Sequence, residues 1–455
     1  MDHDFVRREE PRLLAELTEF LAIPSISTGT AHVADCRRAA QWLVDQLFRL
    51  GCPTVQLIEG EGHPVVWGES PRVEGAPTLL IYGHYDVQPP DPLDEWHTPP
   101  FVPSIRDGRL YARGAIDDKG QVFCLLKAYE AVRDADGNPP LNIHFLFEGE
   151  EECGGRVVFD LLKAEPERTK VDAVLVCDMS YYAKGWPAVY TALRGLCYAE
   201  LEVRTLQRDL HSGSYGGVAP NAIETLCRIL TDLKSASGKI HIPKLYKQVI
   251  PPTKAERRGW NSLPFDEAEY LAHEVTAKAL TGLEDATVFE RTWALPTFEI
   301  HGIRGGFVGE GAKTVIPAVA TAKISLRLVP GLSVEWVQQQ LQKAITKVAP
   351  DYAEWSLRLH HGGDPVQVDV SHGAFRTLDR AFEEVVGRPT VAVRAGGSIP
   401  IVPELAAGGA PVLLTGIGLP DDGLHSPNEK VDLQQLWEGI AVFGRFFELM
   451  GAEGN

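Results

Sequence analysis

Little in the chain would serve covalent cross-linking. Its seven cysteines are odd in number and scattered from Cys36 to Cys227, with no C-x-x-C pair. That argues against a disulfide framework or a structural zinc knot and for a reducing cytosol. No stretch of roughly 18 consecutive apolar residues occurs, so no segment is expected to span a bilayer. The opening MDHDFVRREEPRLLAELTEF is charged throughout and lacks the apolar stretch of a signal peptide. Positive charge is in short supply: 44 Lys and Arg face 62 Asp and Glu, a net charge of −18. Such a surface repels phosphate backbones and anionic lipid, so neither nucleic acid nor a membrane is the expected partner. Several catalytic signatures are also absent. There is no G-x-S-x-G elbow and no phosphate-cradling G-x-x-x-x-G-K-[ST], and His273-Glu274-Val275-Thr276-Ala277 fails H-E-x-x-H at its last residue. The expectation is an acidic cytoplasmic protein whose clustered carboxylates attract divalent cations.

What is present is a pattern of alternating elements. Leu13, Leu14, Leu17, Phe20 and Leu21 fall on one stripe of an opening helix, and a second helix is predicted from about Asp35, as N-cap, to Leu50. Apolar runs at Thr78–Gly83, Leu141–Phe147 and Val171–Cys177 read as buried strands, with a helix over about Lys119–Arg133 between the first two. Strand candidates recur at Thr390–Arg394 and Val412–Gly416, before a last helix bearing Leu433, Leu436, Ile440, Phe443 and Phe447. Buried strands separated by helices imply a mostly parallel sheet flanked by helices, with chemistry gathered at the strand ends. The middle of the chain alternates with period two: Ala199, Leu201 and Val203 against Tyr198, Glu200 and Glu202, then Ala322, Ile324, Leu326 and Leu328 against Lys323, Ser325 and Arg327. One wet face per strand is typical of an antiparallel sheet. The expected organisation is an α/β domain from residues 1–191 and 363–455, interrupted by a smaller α+β domain at 192–362.

Four polar islands interrupt this scaffold. In Gly83-His84-Tyr85-Asp86-Val87-Gln88-Pro89-Pro90, an imidazole at a strand end could meet a metal while Asp86 holds the ring from behind, or could be satisfied by local hydrogen bonds. Asp117-Asp118, ahead of a helix, could cap it or ligate. Glu148-Gly149-Glu150-Glu151-Glu152 follows a buried strand, where mutual repulsion costs energy unless a cation offsets it. The last island is Gly423-Leu424-His425-Ser426-Pro427-Asn428-Glu429, and Asp178 ends a further strand. Cys153 and Cys177 adjoin these islands and read as packing residues.

Taken together, GHYDVQPP, ARGAIDDKG, FEGEEECGG, the strand end at Asp178 and LHSPNEK resemble the aminoacylase/carnosinase family of co-catalytic di-zinc metallopeptidases. The likeness spans nearly the whole chain. RDLHSGSYGG, GAKTVIPAVATAKISLRLVP, RAGGSIP and a long insert around residues 231–300 point to the carnosinase and cytosolic non-specific dipeptidase branch. The resemblance implies the zinc-peptidase fold with an inserted lid and dimerisation domain. It implies two divalent metal ions per subunit, zinc first and manganese or cobalt as alternatives. His84 and Asp178 would bind one metal and Glu152 and His425 the other, with Asp117 bridging them. Asp86 would orient His84, Glu151 would be the general base, and Asp117–Asp118 would be a cis peptide. His211 would reach the partner subunit's site in a homodimer. Thr314, Arg327 and Ser398 would hold the ends of a small peptide. Arg327 also lies on the polar face of its strand, where a guanidinium fork suits a free carboxylate. The implied activity is hydrolysis of dipeptides. N-acyl amino acid deacylation or carboxypeptidase action on the same metals, and a catalytically inactive binding protein, are the competing readings.

Overall fold

The computed structural model describes residues 4–137, 141–397 and 399–453, so Ser398 lies outside the described residues. The chain divides into two units. One comprises Met1–Thr191, Val368–Ala392 and Ile399–Asn455; the other comprises Ala192–Gln367 and Val393–Ser398.

In the first unit, six strands lie side by side in the order Thr54–Ile58, Val65–Glu69, Asn142–Glu148, Thr78–His84, Ala173–Cys177 and Val412–Thr415. The last four run parallel to one another, while Val65–Glu69 pairs antiparallel with both of its neighbours. The parallel strands are the apolar runs expected from the sequence, and their residues are buried because helices cover the sheet. The strand expected at 390–394 forms as Val391–Ala395, outside this sheet. Helix Phe5–Leu21 turns Leu13, Leu17, Phe20 and Leu21 inward, and Phe20 stacks on Trp42 with centroids 4.2 Å apart. Helix Lys119–Asp136 packs Val122, Phe123, Leu126 and Tyr129 into the same core as Leu436, Ile440, Phe443 and Phe447 of helix Leu433–Glu453.

One boundary differs from expectation. The second helix is Val33–Arg49 with His32 at its N-cap, and Asp35 sits inside the first turn. The Asp35 carboxylate instead takes Nδ1 of His32 at 2.7 Å and Nη2 of Arg38 at 2.6 Å. There it faces the partial positive charge of the helix start as a first-turn acid rather than as the cap.

The second unit is built on a four-stranded antiparallel sheet, in the order Thr297–Gly305, Val319–Leu328, Gly195–Arg204, Glu354–Gly363. The predicted alternation decides its faces. Cys197, Ala199, Leu201, Val203, Ala322, Ile324 and Leu326 form a core with helices Ala222–Leu233 and Val334–Val348. Tyr198, Glu200, Ser325 and Arg327 lie on the opposite face. That face is not uniformly wet: Ser325 is only 3% exposed and pairs with Nε2 of His301 at 2.8 Å. Among the described residues, no helix is long and apolar enough to cross a membrane.

Candidate metal centre

Parallel register brings three polar groups to one edge of the six-stranded sheet. His84 ends its strand directly opposite Glu148, and Asp178 follows the end of the neighbouring strand. Side chains beyond the carboxyl ends of parallel strands are not consumed by the core, which leaves them free for chemistry. Gly83 permits a close approach here, since a Cβ on it would lie 2.5 Å from Cγ2 of Val122 and 2.7 Å from Oδ2 of Asp118. The turn preceding helix Lys119–Asp136 adds Asp117 and Asp118, joined by a cis peptide bond.

Asp117 is shared between two imidazoles. Its Oδ1 is 3.2 Å from Nε2 of His84, and its Oδ2 is 2.9 Å from Nε2 of His425. Around this carboxylate two groups converge, His84–Asp118–Asp178 and Asp117–Glu152–His425, each with its candidate ligand atoms within 4.8 Å of one another. His84 Nε2 also lies 3.8 Å from Asp178, and His425 Nε2 lies 3.3 Å from Glu152. All five residues assigned to the metals by resemblance are thus neighbours in space. Asp118 joins them, although the resemblance assigned a ligand role to Asp117 alone. Its Oδ2 accepts the backbone N–H of His84 at 3.1 Å.

Supporting groups fix these side chains. Asp86 lies behind His84, with its carbonyl 3.1 Å and its Oδ1 3.3 Å from Nδ1 of the ring. Its carboxylate also accepts the backbone N–H groups of Glu151 at 3.3 Å and Glu152 at 3.1 Å, so one buried side chain aligns two islands. Gln88 donates to Oε2 of Glu152 at 2.7 Å. His425 has φ +58° and Asn428 φ +62°, left-handed values that are strained for non-glycine residues and concentrate at functional sites. Asn428 pins that loop by accepting from the backbone of His97 and donating to the carbonyl of Glu95, each at 2.8 Å.

Glu429 has a role that the sequence did not announce. Its fully buried carboxylate accepts from the backbone N–H groups of Gly114, Ile116 and Asp117 at 3.0–3.1 Å, and from Nη1 of Arg113 at 2.6 Å. It therefore holds the turn that presents Asp117. Glu429→Ala is expected to lower the stability of the fold by about 3–5 kcal/mol, because it leaves the buried Arg113 guanidinium without its carboxylate. A chemical denaturation series measures this, and a loss below about 1 kcal/mol would show that water compensates for the carboxylate.

The electrostatics favour a cation. Burial pushes Asp178 up to about 6 and Glu148 up to about 8, against the pull of their imidazole and tyrosine neighbours. Glu151 lies well above the usual carboxylate range through loss of solvent, with the charges of Asp178, Glu152 and Glu148 adding to the shift. Hydrogen bonds to Asp117 and Glu152 push His425 up to about 10. For His84, burial acts to lower the pKa, yet Asp117, Asp178 and Asp86 outweigh it and raise the ring well above its ordinary value. Protons are thus drawn in to offset crowded negative charge, a task a divalent cation performs better. Oδ1 of Asp118 and Oε1 of Glu152 are buried and make no hydrogen bond among the described residues. Imidazole and carboxylate donors without thiolate suit zinc, and with added oxygen also manganese or cobalt. The residues present therefore fit a metal pair. Cys177 is buried, whereas Cys153, expected to pack, is exposed because its short turn leaves the sheet edge.

The remaining expected residues belong to the second unit. His211 is exposed, pairs with Val315 in a two-stranded ladder, and accepts the backbone N–H of Gly213 on Nδ1 at 3.0 Å. That bond leaves Nε2 as the ring's proton carrier in the neutral form. Thr314 is its near neighbour, its carbonyl accepting from the Ser212 N–H at 3.2 Å. Arg327 lines a cavity on the open face of the four-stranded sheet.

Comparison with known proteins gives a consistent picture. Residues 80–449 match the profile of peptidase family M20/M25/M40. The chain is 32% identical to the Cys-Gly metallodipeptidase dug1 of Schizosaccharomyces pombe, over 97% of this chain and 96% of that one. Human carnosine dipeptidase 1 superposes with a TM-score of 0.83 at 30% identity, covering 99% of this chain and 98% of its own. An M20 family metallo-carboxypeptidase from Sulfolobus solfataricus superposes with a TM-score of 0.85 at 30% identity, covering 97% and 99%.

Proposed function

Since the chain belongs to peptidase family M20/M25/M40, we propose that it is a metal-dependent dipeptidase, with His84 and Asp178 holding one ion, Glu152 and His425 the other, and Asp117 both. The observation that carries this reading is Asp117, which directs one carboxylate oxygen at each of two imidazoles within a cluster of acids. A metallodipeptidase and a carnosine dipeptidase among its relatives support it. A metal pair bound there polarises a scissile carbonyl and lowers the pKa of water.

The chain's own side chains do the rest. Asp86 keeps the His84 ring turned so that Nε2 faces Asp117. Glu151 is the general base: it takes a proton from the attacking water and delivers it to the leaving amine. His211 donates from Nε2 to the developing oxyanion. Arg327, with Thr314 and Ser398, holds the substrate's termini, the guanidinium taking the α-carboxylate. Zinc is the first choice of metal, the subunits form a homodimer, and the enzyme works in the cytoplasm. The metallo-carboxypeptidase among the solved relatives favours one second reading, exopeptidase action on longer or N-blocked chains.

A panel of free, N-acetylated and C-amidated dipeptides, assayed with zinc, manganese and cobalt in turn, separates these readings. Free dipeptides should be cleaved, and N-acetylated ones poorly. Preference for N-blocked or longer substrates would favour the second reading. Amidation of the C-terminus should lower kcat/KM by about 10–150-fold, the worth of one charged hydrogen bond. Equal cleavage of amide and acid would remove Arg327 from its role.

A further inference from the structure

The open face of the four-stranded sheet carries a cavity of about 570 Å³, lined among others by Arg194, Tyr198, Glu299, His301, Arg327 and His361. Its wall is flat and fixed. Tyr198 is sandwiched between His301 and His361, with ring centroids 5.1 and 5.0 Å away and interplanar angles of 12° and 14°.

Two guanidiniums in this cavity lack a carboxylate partner. The Arg327 side chain makes no hydrogen bond or ion pair among the described residues. Arg194 is anchored by its Nε to the carbonyl of Gly396 at 3.2 Å, while its Nη1 is buried with no partner. Gly396 belongs to the RAGGSIP motif, and a Cβ there would lie 2.7 Å from Nη2 of Arg194. The glycine therefore lets the backbone close on the guanidinium. Burial, with the charge of Arg327 adding to it, pushes Arg194 down to about 10. The charge of Glu299, the cavity's own acid, works against this shift without reversing it. Glu299 is engaged by Nζ of Lys234 at 3.4 Å from both oxygens. A third lining arginine, Arg291, donates to the carbonyls of Ala286 at 2.8 Å and Thr281 at 3.2 Å. Two half-buried, unpaired guanidiniums that share one cavity are satisfied together by two carboxylates, each able to take an arginine in a forked, charge-assisted pair.

We propose that this cavity receives the C-terminal residue of the substrate and favours an acidic one, Arg327 taking the α-carboxylate and Arg194 the side-chain carboxylate. The substrate class is then dipeptides ending in aspartate or glutamate. This rests on the dipeptidase reading, and the test keeps the two apart. Ala-Glu and Ala-Gln are nearly isosteric and differ in charge. The full chain should prefer Ala-Glu in kcat/KM by about 10–150-fold, the size of one charged hydrogen bond. Calorimetry with free L-glutamate and L-glutamine should show a contrast in the same direction without any turnover. Arg194→Gln should bring both ratios close to one. Arg194→Lys, which keeps the charge but loses the fork, should retain part of the preference, and so guards against a variant that fails to fold. Equal handling of the glutamate and glutamine ligands by the wild type would overturn the proposal, as would a preference that survives Arg194→Gln. If neither dipeptide is cleaved, the dipeptidase reading fails, and the calorimetric contrast still decides the fate of the cavity proposal.

Discussion

Glu151→Gln is expected to keep the fold and the bound metal while lowering kcat by about 10²–10⁴-fold, the usual cost of removing a general base. The argument rests on where Glu151 sits. It opens the short turn Glu151–Cys153 just beyond the sheet edge, and its backbone N–H donates to Asp86 at 3.3 Å. The glutamine variant preserves that backbone anchor and the side-chain volume. It removes only the capacity to take and return a proton. Metal content measured by elemental mass spectrometry and single-turnover kinetics on a good dipeptide separate the two effects. A variant with half the wild-type kcat and normal metal content would show that another group is the base. Loss of metal would instead make Glu151 a ligand, as its neighbour Glu152 is proposed to be.

The second large effect concerns His211. Removing one oxyanion donor typically costs about 10²–10³-fold in kcat, and His211→Ala is expected to fall in that range. Its imidazole is exposed, with Nδ1 tied to Gly213 and Nε2 without a hydrogen bond among the described residues. If it completes the site of the partner in a two-fold dimer, a His211→Ala chain mixed with a Glu151→Gln chain should regain activity. Each mixed dimer then has one intact site and one site with both defects. Full exchange should give about a quarter of wild-type activity, since half the dimers are mixed and each has one live site of two. Native mass spectrometry would show whether exchange has occurred. Mixed dimers without recovered activity would mean that His211 serves its own chain, and a fully active His211→Ala chain would mean that it takes no part in catalysis.

Much of the scaffold could be read from the sequence, because it is written locally, whereas the roles of the site residues came only from the resemblance of the polar islands to a known family. Continuous apolar runs such as Leu141–Phe147 can only be buried on both sides, and in a chain that alternates them with helices they become parallel strands. Polar residues at the ends of those runs then have one place to go. The alternation around Leu201 and Ile324 likewise fixed which residues form the core of the second unit, since neighbouring side chains on a strand must point to opposite faces.

Tertiary structure decided what local pattern leaves degenerate. Asp117 and Asp118 look alike in sequence, yet one faces two imidazoles while the other accepts the His84 N–H. Asp35 reads as a cap, but His32 begins the helix one turn earlier. Glu429 reads as the tail of a motif, but it binds backbone groups more than 300 residues away in the chain. Arg194 reads as a residue between two strands, but the carbonyl of Gly396, 202 residues later in the chain, takes its Nε. Propensity and periodicity are set by neighbours a few residues apart, so they specify elements and faces. Which carboxylate meets which cation depends on distances of a few ångströms between segments remote in sequence, and those exist only once the sheets have assembled.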